Sequence, residues 1–211
     1  KLGFIGIGLR GEGMMHLATY RKDVDIPVIC DIDDEMISKA LKVLKNADRP
    51  IPKVYNNGDE DFQNMLENED LDGVFIATPW EWHHPMSIAA MKAGKHVGTE
   101  VPAALTVPDC WDLVNTSEQT GKFCMIMENV CYRRDVLAVL NMVRSGLFGE
   151  LLHCQGGYQH DIRDVKFNNG LQPYGGGVEF GDRGYSESKW RTNHSINRNG
   201  DLYPTHGLGP V

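Results

Sequence analysis

Residues 2–13 read LGFIGIGLRGEG, and this stretch decides the fold. Leu2, Phe4, Ile5 and Ile7 form a short apolar run of the kind a buried strand uses. The run breaks into Gly6-Ile7-Gly8-Leu9-Arg10-Gly11, with helix-forming residues behind it. Gly6 permits a tight turn, Gly8 lets the backbone approach a pyrophosphate, and Gly11 lets the helix pack on the strand. The amides that open the helix then face the phosphates. Asp31 closes the next apolar run, IPVICDI, 20 residues after Gly11. A carboxylate there accepts hydrogen bonds from the adenosine ribose and repels a 2′-phosphate, which predicts NAD rather than NADP. Arg10 pulls the other way, because an arginine near the loop welcomes a 2′-phosphate. NAD is the expectation.

Outward from that loop, β-rich runs alternate with helical ones. The predicted strands are LGFIGIG, IPVICDI, KVYNN, GVFIAT, HVGTE and KFCMIMENV. Between them lie MMHLATYRK, DEMISKALKVLKN, DEDFQNMLEN, HPMSIAAMKAG and PDCWDLVNTSEQ, several with apolar spacing near 3.6. Strands separated by helices imply crossovers and a parallel sheet covered on both faces. Asp33 or Asp34 is placed to cap one helix, Thr106 with Asp109 reads as a capping box, and Gly94 and Gly121 mark helix ends. Residues 1–130 are therefore read as an α/β Rossmann dinucleotide-binding domain. Beyond them come a helix, RRDVLAVLNMVRSG, and GELLHCQGGYQHD, which alternates like a strand with one exposed face. From Asn168 to Val211 the chain is rich in Gly, Asn, Tyr and Arg with weak periodicity, which predicts a loop region that is either functional or disordered. Residues 131–211 are read as the beginning of a second, α+β domain whose remainder lies outside this chain.

The bulk properties exclude several classes. The 211 residues are 41% hydrophobic and 24% charged, the profile of a globular protein. A net charge of −8 argues against non-specific binding to nucleic acid or an anionic membrane. No apolar run approaches the roughly 18 residues that a membrane helix needs. Cys30, Cys110, Cys124, Cys131 and Cys154 contain no CxxC pair and read as reduced, mostly buried thiols. His83 and His84 are adjacent, so on a helix they point apart, and no carboxylate or thiol set joins them; no metal is expected. The chain begins with Lys1 already in a strand, so it carries no information on export.

A carboxylate at the carboxyl end of a strand sits where α/β enzymes do chemistry, and Glu100 ends HVGTE. The run ATPWEWHHPMSIAAMKAGKHVGTEVPAA around it resembles the Gfo/Idh/MocA oxidoreductases. Thr78-Pro79, His83 and Ala93-Gly94-Lys95-His96-Val97 match that family's pattern, and Glu100 and Pro102 flank the position of its lysine. That position holds Val101, which neither gives nor takes a proton, and Trp80 replaces the asparagine usual after Thr-Pro. LRGEGMMHLA, the TPWEWHH run, MENVCYRRD and RNGDLYPTHGLGPV together resemble a narrower group, the NAD-dependent α-N-acetylgalactosaminidases of glycoside hydrolase family 109.

The resemblance implies an N-terminal Rossmann domain followed by an α+β domain with a large open, mainly antiparallel sheet, whose face pairs subunits. It implies a glycosidase that releases terminal α-N-acetylgalactosamine from a small carbohydrate or glycan terminus. NAD⁺ oxidises the C3 hydroxyl, the C2 proton is lost with the C1 substituent, water adds, and the hydride returns. Leu9, Arg10, Asp31, Trp80, Glu81, Trp82, His83, Glu100, Val101 and Asn129 are implied to contact NAD, beside the loop glycines Gly6, Gly8 and Gly11. Tyr158, Arg191, Tyr203, Pro204, Thr205 and His206 are implied to face the sugar. His206 is expected to be the base for O3, because imidazole takes and returns a proton near neutrality. Leu202 stands where related dehydrogenases carry an aspartate, so Tyr203 is assigned to positioning the sugar or tuning the histidine. Tyr158 is the candidate for the C2 proton if a nearby positive charge lowers its pKa, and His160, two residues on along the same strand face, competes with it. Glu128 is either a sugar contact or a structural hydrogen-bond partner. Relatives often carry twin-arginine export signals, so an exported or a cytoplasmic bacterial enzyme fits equally. A conventional NAD-dependent sugar or polyol dehydrogenase is the competing expectation, and a cofactor-binding protein without catalysis the third.

Overall fold

The computed structural model describes residues 1–161 and 186–211, with the side chains of 186–189 excepted. The chain divides into two compact units, Lys1–Met127 and Glu128–Val211.

The first unit is built on six parallel strands in the order β3-β2-β1-β4-β5-β6. They are β1 (Leu2–Ile5), β2 (Val28–Cys30), β3 (Lys53–Tyr55), β4 (Gly73–Ile76), β5 (His96–Thr99) and β6 (Cys124–Ile126). The crossover helices are α1 (Leu9–Thr19), α2 (Asp34–Asn46), α3 (Asp61–Asn68), α4 (Trp80–Lys92) and α5 (Val107–Thr120). Successive strand residues point to opposite faces, and the sheet sorts its core accordingly. Phe4 and Ile29 pack with Met15, Ile37, Ala40 and Leu44 of α1 and α2. Ile5, Val28 and Cys30 face the other way, against Phe62, Met65, Met86, Met91 and Leu113 of α3, α4 and α5. Burying each large side chain of this kind stabilises the sheet by about 1.5–3 kcal/mol.

Local signals act as their chemistry requires. The Asp33 carboxylate caps α2 by accepting from the Glu35 and Met36 amides at 2.9 and 3.3 Å. Thr106 Oγ1 accepts from the Asp109 amide at 3.3 Å and caps α5. Gly121 closes α5 in the left-handed region at φ 67°. Two helices start earlier than their apolar spacing suggests. α1 begins at Leu9, inside the glycine-rich loop, and α4 begins at Trp80, with Pro85 inside it. The Trp80–His83 segment is thus the first turn of a helix. Of the five thiols only Cys30 is buried, and burial pushes it up to about 12; Cys110 and Cys154 are exposed.

The second unit contains a short 3₁₀ turn (Asn129–Tyr132), α6 (Arg134–Arg144), α7 (Ser186–Asn197) and α8 (Pro204–Leu208). The strand expected over residues 149–161 is absent: residues 151–161 are irregular and exposed. A strand needs a partner for its amides and carbonyls, and the described residues of this unit offer no strand edge. The sheet of the described residues is entirely parallel, so the large antiparallel sheet is not among them. Part of the expected loop after Asn168 forms α7 and α8, and residues 168–185 lie outside the described residues.

Candidate functional site

Gly6 leaves β1 at φ +77°, and a Cβ on Gly11 would lie 1.9 Å from the Gly6 carbonyl oxygen. Helix α1 can therefore close on the strand only with glycine at position 11. A Cβ on Gly8 would meet nothing within 4 Å, so the backbone faces open space where a phosphate is required. The loop lies in the crevice at the carboxyl ends of β1 and β4, where strand order reverses.

Asp31 follows β2 and is half-buried. Its Oδ2 accepts from the Ile7 amide at 2.6 Å, and its Oδ1 from the Asp33 amide at 2.9 Å. Burial raises its pKa above the ordinary carboxylate value, and the backbone hydrogen bonds oppose that shift. Each oxygen keeps a second lone pair for a ribose hydroxyl. Asp31 thus fixes the glycine-rich loop as well as marking where a ribose fits. These features fit a dinucleotide: an open Gly8 cradle, helix amides behind it, and a carboxylate one strand away.

Arg10 does not turn toward Asp31. Its Nε donates to Glu100 Oε1 at 2.5 Å, while the Val101 amide lies 3.3 Å from Glu100 Oε2. Glu100 follows β5, two strands from β1 on the side opposite β2. The guanidinium is therefore held away from the place a 2′-phosphate would take, which removes the conflict between Arg10 and Asp31. Glu100 and Val101 are both buried.

The first turn of α4 is mostly inward. Trp80 and His83 are buried, Trp82 packs edge-on against Phe62 with ring centroids 6.2 Å apart, and Glu81 is exposed. His83 Nδ1 lies 2.7 Å from the Pro102 carbonyl oxygen and Nε2 lies 2.8 Å from that of Thr78. It ties the β4–α4 turn to the segment after Glu100. Burial pushes its pKa down, against the pull of the two carbonyls and of Glu100 and Glu81. His84 instead pairs with Asp112, Nε2 to Oδ2 at 3.0 Å. Among the described residues no group of His, Cys, Asp and Glu could hold a metal ion.

The second unit gathers its own cluster. His206 Nδ1 lies 2.6 and 2.8 Å from the two Glu128 oxygens. A carboxylate only accepts, so Nδ1 carries the proton and, in the neutral ring, Nε2 presents a lone pair. Burial pushes the Glu128 carboxyl up, but hydrogen bonds from the Val130 amide, Thr205 and His206 together hold it below the ordinary range. The Tyr158 ring meets the His206 ring edge-on at 4.6 Å, and the Tyr203 ring stacks on His206 at 5.6 Å. Arg191 donates from its guanidinium to the Tyr203 hydroxyl. Pro204 and Thr205 open α8, and Asn129 is exposed at the start of the 3₁₀ turn.

Tyr158 and His160 are not on a strand, yet the phenol and His160 Nδ1 are 3.0 Å apart. Backbone contact places them: a Cβ on Gly156 would lie 2.3 Å from the Gly207 carbonyl oxygen. Tyr158, Tyr203, His206 and Arg191 are thus brought together within the second unit. Glu128 stood open between two roles in the sequence, and its pairing with His206 spans 78 residues; nothing local announces it.

Order of strands, glycine-rich loop and acidic residue after β2 define a Rossmann dinucleotide-binding protein. Residues 1–128 match the oxidoreductase family with an NAD-binding Rossmann fold, Gfo/Idh/MocA, and residues 132–211 match the C-terminal domain of glycosyl hydrolase 109. The chain belongs to the Gfo/Idh/MocA family. Its first unit is an NAD-binding domain. It is 53% identical to a glycosyl hydrolase family 109 protein of Stenotrophomonas maltophilia, over all of this chain and 47% of the relative. It is 54% identical to an α-N-acetylgalactosaminidase of Tannerella forsythia, over all of this chain and 46% of the relative. The chain thus spans about half the length of these curated relatives. Scyllo-inositol dehydrogenase of Lactobacillus casei, solved with NAD(H) and scyllo-inositol, shares the fold: TM-score 0.60 and 21% identity, over 71% of this chain and 42% of that one. Myo-inositol 2-dehydrogenase of Lactobacillus plantarum superposes with TM-score 0.60 at 24% identity, over 71% and 42% of the two chains. No helix among the described residues is long and apolar enough to cross a membrane.

Proposed function

We propose that this protein is a glycosidase that releases terminal α-N-acetylgalactosamine by a redox-neutral, NAD-dependent cycle. The observation that carries the reading is the pair of proton-handling rings, His206 oriented by Glu128 and Tyr158 at 4.6 Å from it. A simple dehydrogenase needs one base, whereas this cycle needs one for O3 and another for C2. Val101, in the place of a lysine, leaves proton transfer to these two groups.

Bound NAD, held by the glycine-rich loop and Asp31, would supply the acceptor for a hydride from C3 and the means of its return. His206 Nε2 accepts the O3 proton as that hydride leaves, and Glu128 stabilises the imidazolium. The new C3 ketone acidifies C2–H, and Tyr158 takes that proton. The C2–H electron pair becomes a C1=C2 bond while the C1–O bond breaks onto the leaving oxygen. Water then adds at C1 with a proton at C2, and His206 returns its proton to O3. Arg191 and Tyr203, joined to each other, and Pro204 and Thr205 hold the sugar. Gly6, Gly8, Leu9, Gly11 and Asp31 hold the pyrophosphate and adenosine ribose. Arg10, the Trp80–His83 turn, Glu100, Val101 and Asn129 serve the nicotinamide half. In this reading residues 1–130 are the cofactor domain and 131–211 the beginning of the substrate domain, and subunits pair through an antiparallel sheet outside the described residues.

The test is an aryl α-N-acetylgalactosaminide incubated with the NAD-loaded protein in D₂O, with the freed sugar read by proton NMR. Deuterium at C2 without net NADH is the expected result. Hydrolysis with the C2 proton retained overturns the reading, and stoichiometric NADH with an oxidised sugar identifies a dehydrogenase instead.

A further inference from the structure

We propose that Tyr158 and His160 act as one base, with His160 a positioning and relay residue that takes the phenolic proton as the phenol oxygen takes the proton from C2. The inference rests on the proposed cycle, which supplies the C3 ketone. Two candidates that compete in the sequence become partners once folded.

The geometry carries this assignment. Tyr158 Oη and His160 Nδ1 are 3.0 Å apart, and their rings meet edge-on at 5.8 Å. A phenol has a single proton, and an imidazole nitrogen accepts it well. With the His160 proton on Nε2, the bond holds one proton between two atoms: phenol and imidazole on one side, phenolate and imidazolium on the other. An unassisted phenol is protonated at neutral pH and is a poor base. An imidazole within hydrogen-bond reach changes that, because the phenol can give up its own proton while it gains another. His160 is exposed, so the proton it takes passes on to water, and C2 exchanges with solvent. Gly156, pressed on Gly207, sets Tyr158 beside His206.

The step balances. The C2–H bond breaks, and its electron pair forms C1=C2. The C1–O bond breaks with its pair on the leaving oxygen, which takes a proton from water. The C2 proton ends on Tyr158 Oη and the former phenolic proton on His160 Nδ1. Reversal of the transfer delivers a proton to C2 when water adds. Among the described residues, the other titratable or charged groups facing the pair are Tyr203 and His206, with Arg191 on the Tyr203 hydroxyl and Glu128 on His206; Asp161 follows in the chain.

The test compares wild type with His160→Gln and His160→Ala, all loaded with NAD. Glutamine keeps an acceptor for the phenol but cannot hold a proton. NADH formation on mixing with substrate reports oxidation at C3, and deuterium incorporation reports exchange at C2. We expect both variants to form NADH near the wild-type rate and to exchange C2 about 10²- to 10³-fold more slowly. Added imidazole should restore exchange in His160→Ala. Wild-type exchange in His160→Gln overturns the relay. So does an equal fall in NADH formation and exchange, which marks a merely structural role. Wild-type protein that hydrolyses without any exchange at C2 overturns the proposed cycle and this inference together, and is distinguished by needing no variant.

Discussion

Replacing Glu128 with glutamine tests whether a carboxylate sets the proton on His206. The carboxylate spans Nδ1 at 2.6 and 2.8 Å, and the two side chains are about nine-tenths buried, at 10% and 11% exposure. In the proposed cycle His206 takes the O3 proton, and this bond becomes one between two charged groups. A hydrogen bond to a charged group contributes about 1.5–3 kcal/mol, which at about 1.4 kcal/mol per decade is roughly 10- to 150-fold in rate. Glutamine also offers an N–H. Turned toward Nδ1, it moves the ring proton to Nε2 and removes the base, as an aspartate-to-asparagine change in a serine-protease triad does at a cost of about 10⁴. Glu128→Gln should therefore slow C3 oxidation by about 10² to 10⁴. The assay is stopped-flow absorbance of NADH on mixing the NAD-loaded protein with substrate, beside an NAD titration that should not change. NADH formation within about threefold of wild type would refute the reasoning, since the loss of an orienting charge must appear in that step.

Three further changes probe other parts. Asp31→Asn gives up one acceptor and the charge that a ribose meets, so NAD affinity should fall about 10- to 150-fold by fluorescence titration, with weak NADP binding little changed. Gly156→Ala puts a Cβ 2.3 Å from the Gly207 carbonyl oxygen. Displacing Tyr158 by about 1 Å should cost about 10² in turnover while NAD affinity holds. His83 is held below its unfolded value by burial, so between its folded pKa and about 6.5 the unfolded chain binds the extra proton. Stability to urea should then fall as pH drops below about 6.5, and His83→Gln should flatten that slope. An unchanged slope would mean that the ring charges in place.

The parts of the fold that rest on local rules were open to reading. The glycine spacing in residues 6–11, the alternation that sends Phe4 and Ile5 to opposite faces, and the caps at Asp33 and Thr106 are each fixed by a few neighbouring residues. The start of α4 was hidden by Pro85, which looks like a first-turn residue but lies well inside the helix. The alternation in residues 149–161 mimics a strand, yet alternation only matters where an edge is available to pair. Two decisive contacts were illegible for a different reason: Arg10–Glu100 spans 90 residues and Glu128–His206 spans 78. Propensity and spacing do not reach that far. Family resemblance pointed to Arg10, Glu100 and His206 singly but not to their pairing, and Glu128 stood open between a sugar contact and a structural hydrogen-bond partner.

A sheet whose strands all run one way has a working edge and an idle one. Gly6, Asp31, Thr78 and Glu100 all follow strand carboxyl ends. The opposite edge carries the returns into the strands, and those into β5 and β6 turn at Gly94 and Gly121 with φ 79° and 67°. A dye or surface linker fixed to Lys92, exposed at the end of α4, is separated from the cofactor crevice by the length of β5, about 13 Å at 3.3 Å per residue. That is close enough for energy transfer from reduced cofactor and too far to obstruct it. The same domain that holds the dinucleotide can thus be tethered and made to report, molecule by molecule, how long its cofactor stays reduced.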